Sequence, residues 1–228
     1  MAGDVQQMDQ VFRERAHLAG KYCLDNPGNR FNHVRLLRQI SEGIGRVGLC
    51  WDNIRVLDLG AGELLWGEEF SRMGMPPHKY IGTDLLRWRL LKGHELGRNF
   101  GAVTASAQDL PFASGSFDLV TQFTMMTSVL DEDTRRRIAA ELTRVLKPGG
   151  YFLWYDFRIN NPWNPHTRAI RQGELRRLFA GWPVACETIT LLPPIARKTP
   201  KALAGILKFL HAVPILRTHY LALIGPKG

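Results

Sequence analysis

From residue 54 onward, short apolar runs alternate with stretches in which apolar residues recur every third or fourth position. The runs IRVLDLG (54–60), YIGTDLL (80–86), AVTASA (102–107), FDLVTQF (117–123) and YFLWYDF (151–157) predict strands. Between them, 63–74, 85–97 and 131–147 predict helices. In the last of these, Ile138, Leu142, Val145 and Leu146 share one face, and Asp131 or Asp133 suits the positive end of the helix dipole. Pro148-Gly149-Gly150 stops that helix. Near-continuous apolar strands alternating with helices imply a parallel sheet covered on both faces. A helix around 168–180, strands at 184–192 and 218–224, and a linking helix around 201–212 follow. The two late strands read as a hairpin-like closing pair at the sheet edge, bringing the count to seven.

The first fifty residues follow a different pattern. They read as two helices, 4–21 and 31–46, around a turn at DNPGN (25–29), with Gly43, Gly45 and Gly48 loosening the chain afterwards. The expected division is an N-terminal helical lid or extension at 1–50 and a strand–helix domain at 51–228, together one compact fold.

Composition narrows the picture modestly. The 228 residues are 45% hydrophobic, enough for one sizeable core. No apolar run is long enough for a membrane span. The start, MAGDVQQMDQ, has acids and glutamines and no apolar signal core, so a cytoplasmic protein is expected. Cys23, Cys50 and Cys186 are scattered and read as reduced, partly buried thiols. Neither they nor the seven dispersed histidines form a metal-ligand set, so no metal is expected.

The net charge of +9 comes from dispersed cations and reads as a solvated basic surface. Arg135, Arg136 and Arg137 read as the outer part of an amphipathic helix. No RNA-binding box or zinc-finger spacing occurs, so no nucleic-acid partner is expected. A small-molecule partner is, and a homodimer is compatible with the chain.

The segment RVLDLGAGELLWG (55–67) carries the chemistry. A strand running into a glycine turn and a helix places a ligand at the carboxyl end of a parallel sheet, beside a helix N-terminus. Gly60 and Gly62 would let backbone approach that ligand without a Cβ in the way. Asp84, 24 residues beyond Gly60, ends the next strand, where a carboxylate accepts from both hydroxyls of a ribose. A dinucleotide fingerprint would want a third glycine near Leu65 and would usually lack an acid at Asp58.

VLDLGAG, YIGTDLL, ASAQDLPFASGSFDLV and ELTRVLKPGGYFLW, in this order, resemble the class I S-adenosylmethionine-dependent methyltransferases, particularly the small-molecule and quinone C-methyltransferase branch. The resemblance covers about residues 54–157. It implies an α/β, Rossmann-like, seven-stranded, mostly parallel sheet with helices on both faces and the N-terminal helical extension. It further implies S-adenosylmethionine as cofactor. Asp58, Gly60 and Gly62 would surround the methionine part, with Asp58 organising the loop or the cofactor amine. Asp84 would take the ribose and Leu85 would pack on the adenine. Ala107 would offer backbone to the adenine edge, and Gln122 and Phe123 would lie beneath the methionine end. This chain has Ser106 where the family usually has an aspartate, so the adenine amine falls to Ser106, to Gln108 or Asp109, or to no side chain. It also has Leu64 where the first motif often has another glycine. The Trp and Leu residues that follow Gly62 read as helix core, and Asp118 as a brace at the start of its strand.

Methyl transfer from a sulfonium needs alignment and water exclusion more than a cofactor metal, and a base helps when the acceptor is a hydroxyl. The segment YDFRINNPWNPH (155–166) follows the fifth strand and offers Asp156 first and His166 next as bases, with His219 as a further candidate. Arg158 and Asn160 would meet the acceptor, as would Tyr22 and His33 if the N-terminal helices close as a lid. Asn160, Asn161 and Asn164 suit a polyhydroxylated acceptor, or equally a loop bonding its own backbone. The expectation is O-methylation of a sugar or other biosynthetic hydroxyl. C-methylation of a quinone or related ring is the alternative, followed by a non-catalytic cofactor-binding subunit or a NAD-dependent oxidoreductase.

One basic segment stands apart. Leu203, Ile206, Leu207 and Leu210 are assigned to one face of the 201–212 helix, with Lys201 and Lys208 elsewhere. It reads as a helix packed on the sheet, or as an acceptor lid or a contact with a lipid-linked substrate or membrane surface without stable insertion.

Overall fold

The computed structural model describes residues 2–15, 20, 23–161 and 164–226. Helices α1 (Ala2–Arg15) and α2 (Pro27–Arg46) precede β1 (Val56–Leu59), α3 (Leu65–Arg72), β2 (Tyr80–Asp84), α4 (Arg87–Glu95) and β3 (Gly101–Thr104). Then come β4 (Phe117–Phe123), α5 (Glu132–Val145), β5 (Leu146–Phe157), α6 (Gln172–Leu178) and β6 (Val184–Leu191). The chain closes with α7 (Pro193–Lys198), α8 (Ile206–Ala212) and β7 (Arg217–Ile224). One seven-stranded sheet has the order β3-β2-β1-β4-β5-β7-β6. The five strands from β3 to β5 pair in parallel, and β7 runs antiparallel to β5. The expected Rossmann-like architecture is therefore present.

The chain divides into a larger compact unit, Ser41–Thr188 with His219–Gly228, and a smaller one, Met1–Ile40 with Ile189–Thr218. In the larger unit, Leu57, Leu59, Val120, Phe152 and Trp154 of the sheet pack with Ile138, Leu142 and Val145 of α5 and Leu175 of α6. Each such side chain contributes about 1.5–3 kcal/mol by leaving water. The Asp131 carboxylate accepts from Thr134 N at 2.7 Å and starts α5, and Asp118 accepts from Arg55 N and Lys147 Nζ, bracing β4. The core of the smaller unit gathers Leu191, Ala196 and Leu207 with Phe31, Leu210 and Leu216.

Several local expectations need correction. α2 begins at Pro27, because Asn26 Oδ1 accepts from Gly28 N and Asn29 N and proline suits the first helical position. Gly43 and Gly45 lie inside that helix. Arg135 is fully buried rather than on an outer face: it donates to Val129 O, Arg168 O and Glu174 Oε1, which together satisfy its guanidinium. Cys23 and Cys50 are exposed. The 201–212 helix is a 3-10 turn, Lys201–Leu203, followed by the short α8, and α7 is an addition. Leu207 and Leu210 face inward, but Leu203 and Ile206 are exposed.

Candidate active site

Four strand ends of the larger unit build the site. β1 ends in a turn where Gly60 and Gly62 take φ of 66° and 53°, the left-handed region that favours glycine. A Cβ at Gly60 would lie 2.6 Å from Met125 Cγ, and one at Gly62 would collide with the Arg89 guanidinium. Leu64 follows with φ of 61° and no solvent exposure, so the position where a further glycine often stands keeps the glycine-type backbone while its side chain enters the core. Gly82 makes room for it: a Cβ there would meet Leu64 Cδ2 at 2.5 Å.

Asp84, at the end of β2, faces the same turn. Its Oδ2 accepts from Gly62 N at 2.9 Å and from Arg89 Nη1 at 3.1 Å, and its Oδ1 accepts from Leu86 N at 2.9 Å. Leu85 is half-buried beside it. Asp58 lies deeper in β1, next to Thr121 of β4 in the strand register. Its Oδ1 accepts from Thr121 Oγ1 and its Oδ2 from Tyr80 OH, both at 2.7 Å. Burial pushes this carboxyl up to about 7 despite those two hydroxyls, and raises the Tyr80 phenol too.

Beyond β3, Ser106 Oγ accepts from Gln108 N at 3.2 Å, and Ser106 bridges to Asp109, closing a tight turn. Ala107 packs against the core from that turn. At the end of β4, buried Gln122 accepts from Met125 N at 2.9 Å and Met126 N at 3.3 Å, so it shapes the loop that carries Met125 over Gly60. Thr124 follows Phe123 with φ of 59°, the second non-glycine residue after Leu64 to take the left-handed region at these strand ends.

Register decides the rest. Phe123 of β4 lies opposite Tyr155 of β5, and Phe157 opposite His219 of β7. Side chains alternate across a sheet, so these four share one face. Trp66 of α3 stacks on Phe123 with ring centroids 3.5 Å apart. Tyr155 and His219 stack at 4.7 Å with planes 3° apart, and Phe157 lies 4.1 Å from His219. A row of rings, half-buried except for the buried His219, thus runs from the glycine turn along the strand ends. Burial pushes the His219 imidazole down to about 3, so it is neutral.

Asp156 lies on the opposite face of the sheet from His219. It accepts from Thr127 N and Oγ1 at 3.0 and 2.6 Å and from Phe157 N at 2.9 Å, and burial raises it to about 6. Arg158 shares that face, with its guanidinium 5.7 Å from the Tyr220 ring. In the following loop Asn160 accepts from Ala169 N at 2.8 Å, and Asn164 from the backbone N–H of His166 at 3.3 Å. His33 is on α2 in the smaller unit, and Tyr22 lies outside the described residues. The structure therefore gathers Asp58, Gly60, Gly62, Asp84, Gln122 and Phe123 around one turn. Two of the candidate bases, Asp156 and His219, lie on opposite faces of the sheet. Sequence reading missed Arg89 and Met125, which carry no motif signal, and the ring row, which depends on pairing register. It also placed Trp66 in the helix core.

These residues fit the expected cofactor. Among the described residues, the atoms nearest a Cβ at either positive-φ glycine belong to the Met125 and Arg89 side chains and not to backbone, and the Asp84 carboxylate keeps acceptor capacity at Oδ1. Residues 56–150 match a family described as a methyltransferase domain. With that match, the turn and the sheet order, residues 56–150 are similar to methyltransferase domains, and the chain shares the fold of solved S-adenosylmethionine-dependent methyltransferases.

Among its relatives is the ubiquinone/menaquinone biosynthesis C-methyltransferase UbiE of Edwardsiella ictaluri, 34% identical over 65% of this chain and 58% of that protein. The protein of the same name from Cronobacter sakazakii is 29% identical over 82% and 78% respectively. A putative sarcosine dimethylglycine methyltransferase from Galdieria sulphuraria shares the fold, with a TM-score of 0.66 at 16% identity over 86% of this chain and 87% of that one. The chain spans between 45% and 61% of the length of the first four curated relatives it matches.

Proposed function

We propose that the chain transfers a methyl group from S-adenosylmethionine to a carbon of a flat, electron-rich ring of the quinol class. When bound, the cofactor would supply an electrophilic methyl group: its S–CH3 bond breaks in line as the ring carbon takes the methyl, S-adenosylhomocysteine departs, and the ring C–H proton passes to solvent. Gly60 and Gly62 admit it to the turn, Asp84 accepts from the ribose hydroxyls, and Leu85, Ser106, Ala107 and Gln108 frame the adenine. Asp58 acts from below by fixing Thr121 and Tyr80. Gln122 holds the loop that flanks the reacting end.

The observation that carries the acceptor assignment is the row Trp66, Phe123, Tyr155, His219 and Phe157 beside the turn. Stacked faces accept a planar ring, and their negative potential suits a neighbouring sulfonium cation. A neutral His219 adds no opposing charge. The names of the relatives agree with carbon as the acceptor atom. A sugar hydroxyl has weaker support, because Asn160 and Asn164 bond their own loop and Asp156 is held by Thr127 and Phe157.

The test offers the protein ¹³C-methyl-labelled cofactor with a prenylated benzoquinol, a prenylated naphthoquinol or a methyl glycoside. A ring-methyl NMR signal from a quinol is the expected product. A methoxy signal, or transfer to the glycoside alone, overturns the acceptor reading.

A further inference from the structure

After Glu187 the chain contains no acid: its last 41 residues hold six lysines and arginines, hence six of the nine net positive charges. Within that stretch the smaller unit turns apolar side chains outward. Phe209 is 76% exposed, Ile215 81% and Leu203 57%, with Ile206 and Val213 close to half exposed. Single exposed apolar residues are ordinary, but five within thirteen positions form a patch.

The helix periodicity explains how the patch arises. Leu207, Leu210 and His211 of α8 turn inward, and Leu207 and Leu210 supply its core contacts. Ile206, Phe209 and Val213, spaced i, i+3 and i+7, make a second apolar stripe on the outer side. Ile215 extends the stripe in the turn that follows. Arg217 donates to His211 O and Ala212 O, which pins the end of α8. Exposed Lys198, Lys201 and Lys208 border the patch.

We propose that residues 198–215 form a docking surface for an anionic phospholipid bilayer, which α8 meets side-on. The pattern is that of an interfacial segment, with bulky apolar groups to enter the acyl boundary and lysines to meet lipid phosphates. No helix among the described residues is long and apolar enough to cross a membrane, so contact is with one leaflet. Charge complementarity selects the lipid surface over a neutral one: the patch carries cations and no carboxylate. The proposal stands apart from the acceptor reading, since none of these residues belongs to the candidate active site.

The experiment is co-sedimentation of the full chain with phosphatidylcholine vesicles, with and without phosphatidylglycerol. Binding only to the phosphatidylglycerol vesicles, weakened by salt, is expected. The F209D/I215D variant should bind about tenfold or more weakly. Its calorimetric affinity for S-adenosylmethionine should stay unchanged, which shows that the fold survives. K198Q/K201Q/K208Q, which leaves the apolar patch intact, should lose the phosphatidylglycerol preference. Equal binding of wild type and variants, or no binding to anionic vesicles, overturns the proposal. So does F209D/I215D dissociating a self-associated species in sedimentation velocity while vesicle binding is unchanged, because the occupant is then a second copy.

Discussion

The two oxygens of Asp84 already accept from Gly62 N, Leu86 N and the Arg89 guanidinium, so under the proposed function a ribose diol joins or displaces these donors. Charge-assisted hydrogen bonds contribute about 1.5–3 kcal/mol each, so D84N should weaken S-adenosylmethionine binding by roughly tenfold to a hundredfold. R89Q should act in the opposite direction, lowering Kd several-fold. It removes one of the two donors on Oδ2, leaving Gly62 N, and takes a cation away from the neighbourhood of a sulfonium. Isothermal titration of both variants checks the pair; a weaker R89Q complex would mean that Arg89 holds the cofactor and does not compete with it. Asp84 was legible because it closes an apolar run at a set distance from a glycine turn. Arg89 was not, since it reads as one more cation on a helix until the fold lays it over Gly62. Leu64 is intermediate: its sequence hides the left-handed backbone, and only its contact with Gly82 explains how the core accepts it.

Whole elements were read from period and punctuation, and their errors have a common cause. The strand centres and the α5 face were found because burial imposes a period that sequence can carry. The start of α2 was placed four residues late because Asn-Pro-Gly-Asn is both a turn signal and a helix start. What decides between them is the Asn26 side chain, which caps Gly28 and Asn29 and also donates to Arg197 O at 3.1 Å. N26A should therefore cost about 1 kcal/mol through the lost cap, and somewhat more through the lost tertiary bond. Urea unfolding at neutral pH measures it, and an unchanged midpoint would assign the helix start to Pro27 alone. The face of α8 was misjudged for the same reason as Arg135. Periodicity finds a stripe, but which stripe turns inward depends on the partners waiting there.

At the scale of the whole molecule, buried titratable groups of the larger unit set a pH response. Asp58 and Asp156 hold their protons to about 7 and about 6 in the fold, against an ordinary value of 3.8. Between those limits the unfolded chain has released protons that the folded one keeps, so stability falls as pH rises. His219 opposes this: its ordinary value is 6.5, the fold holds it to about 3, and its contribution is lost as pH falls below 6.5. With two carboxyls against one imidazole, these groups together should make the unit more stable as pH falls from about 7 to about 5. H219F keeps a ring between Tyr155 and Phe157 and should steepen that gain, as read by chemical denaturation at the two pH values.

The strand–helix alternation, the glycine turn and the carboxylate that closes β2 were determined by the sequence itself, because each is a local pattern of burial or backbone freedom. Pairing register, which aligns Phe123, Tyr155, Phe157 and His219 and sends Asp156 to the other face, was decided only by the tertiary structure. So was the choice of which α8 stripe meets solvent. Both depend on neighbours distant in the chain, whose positions no local period encodes.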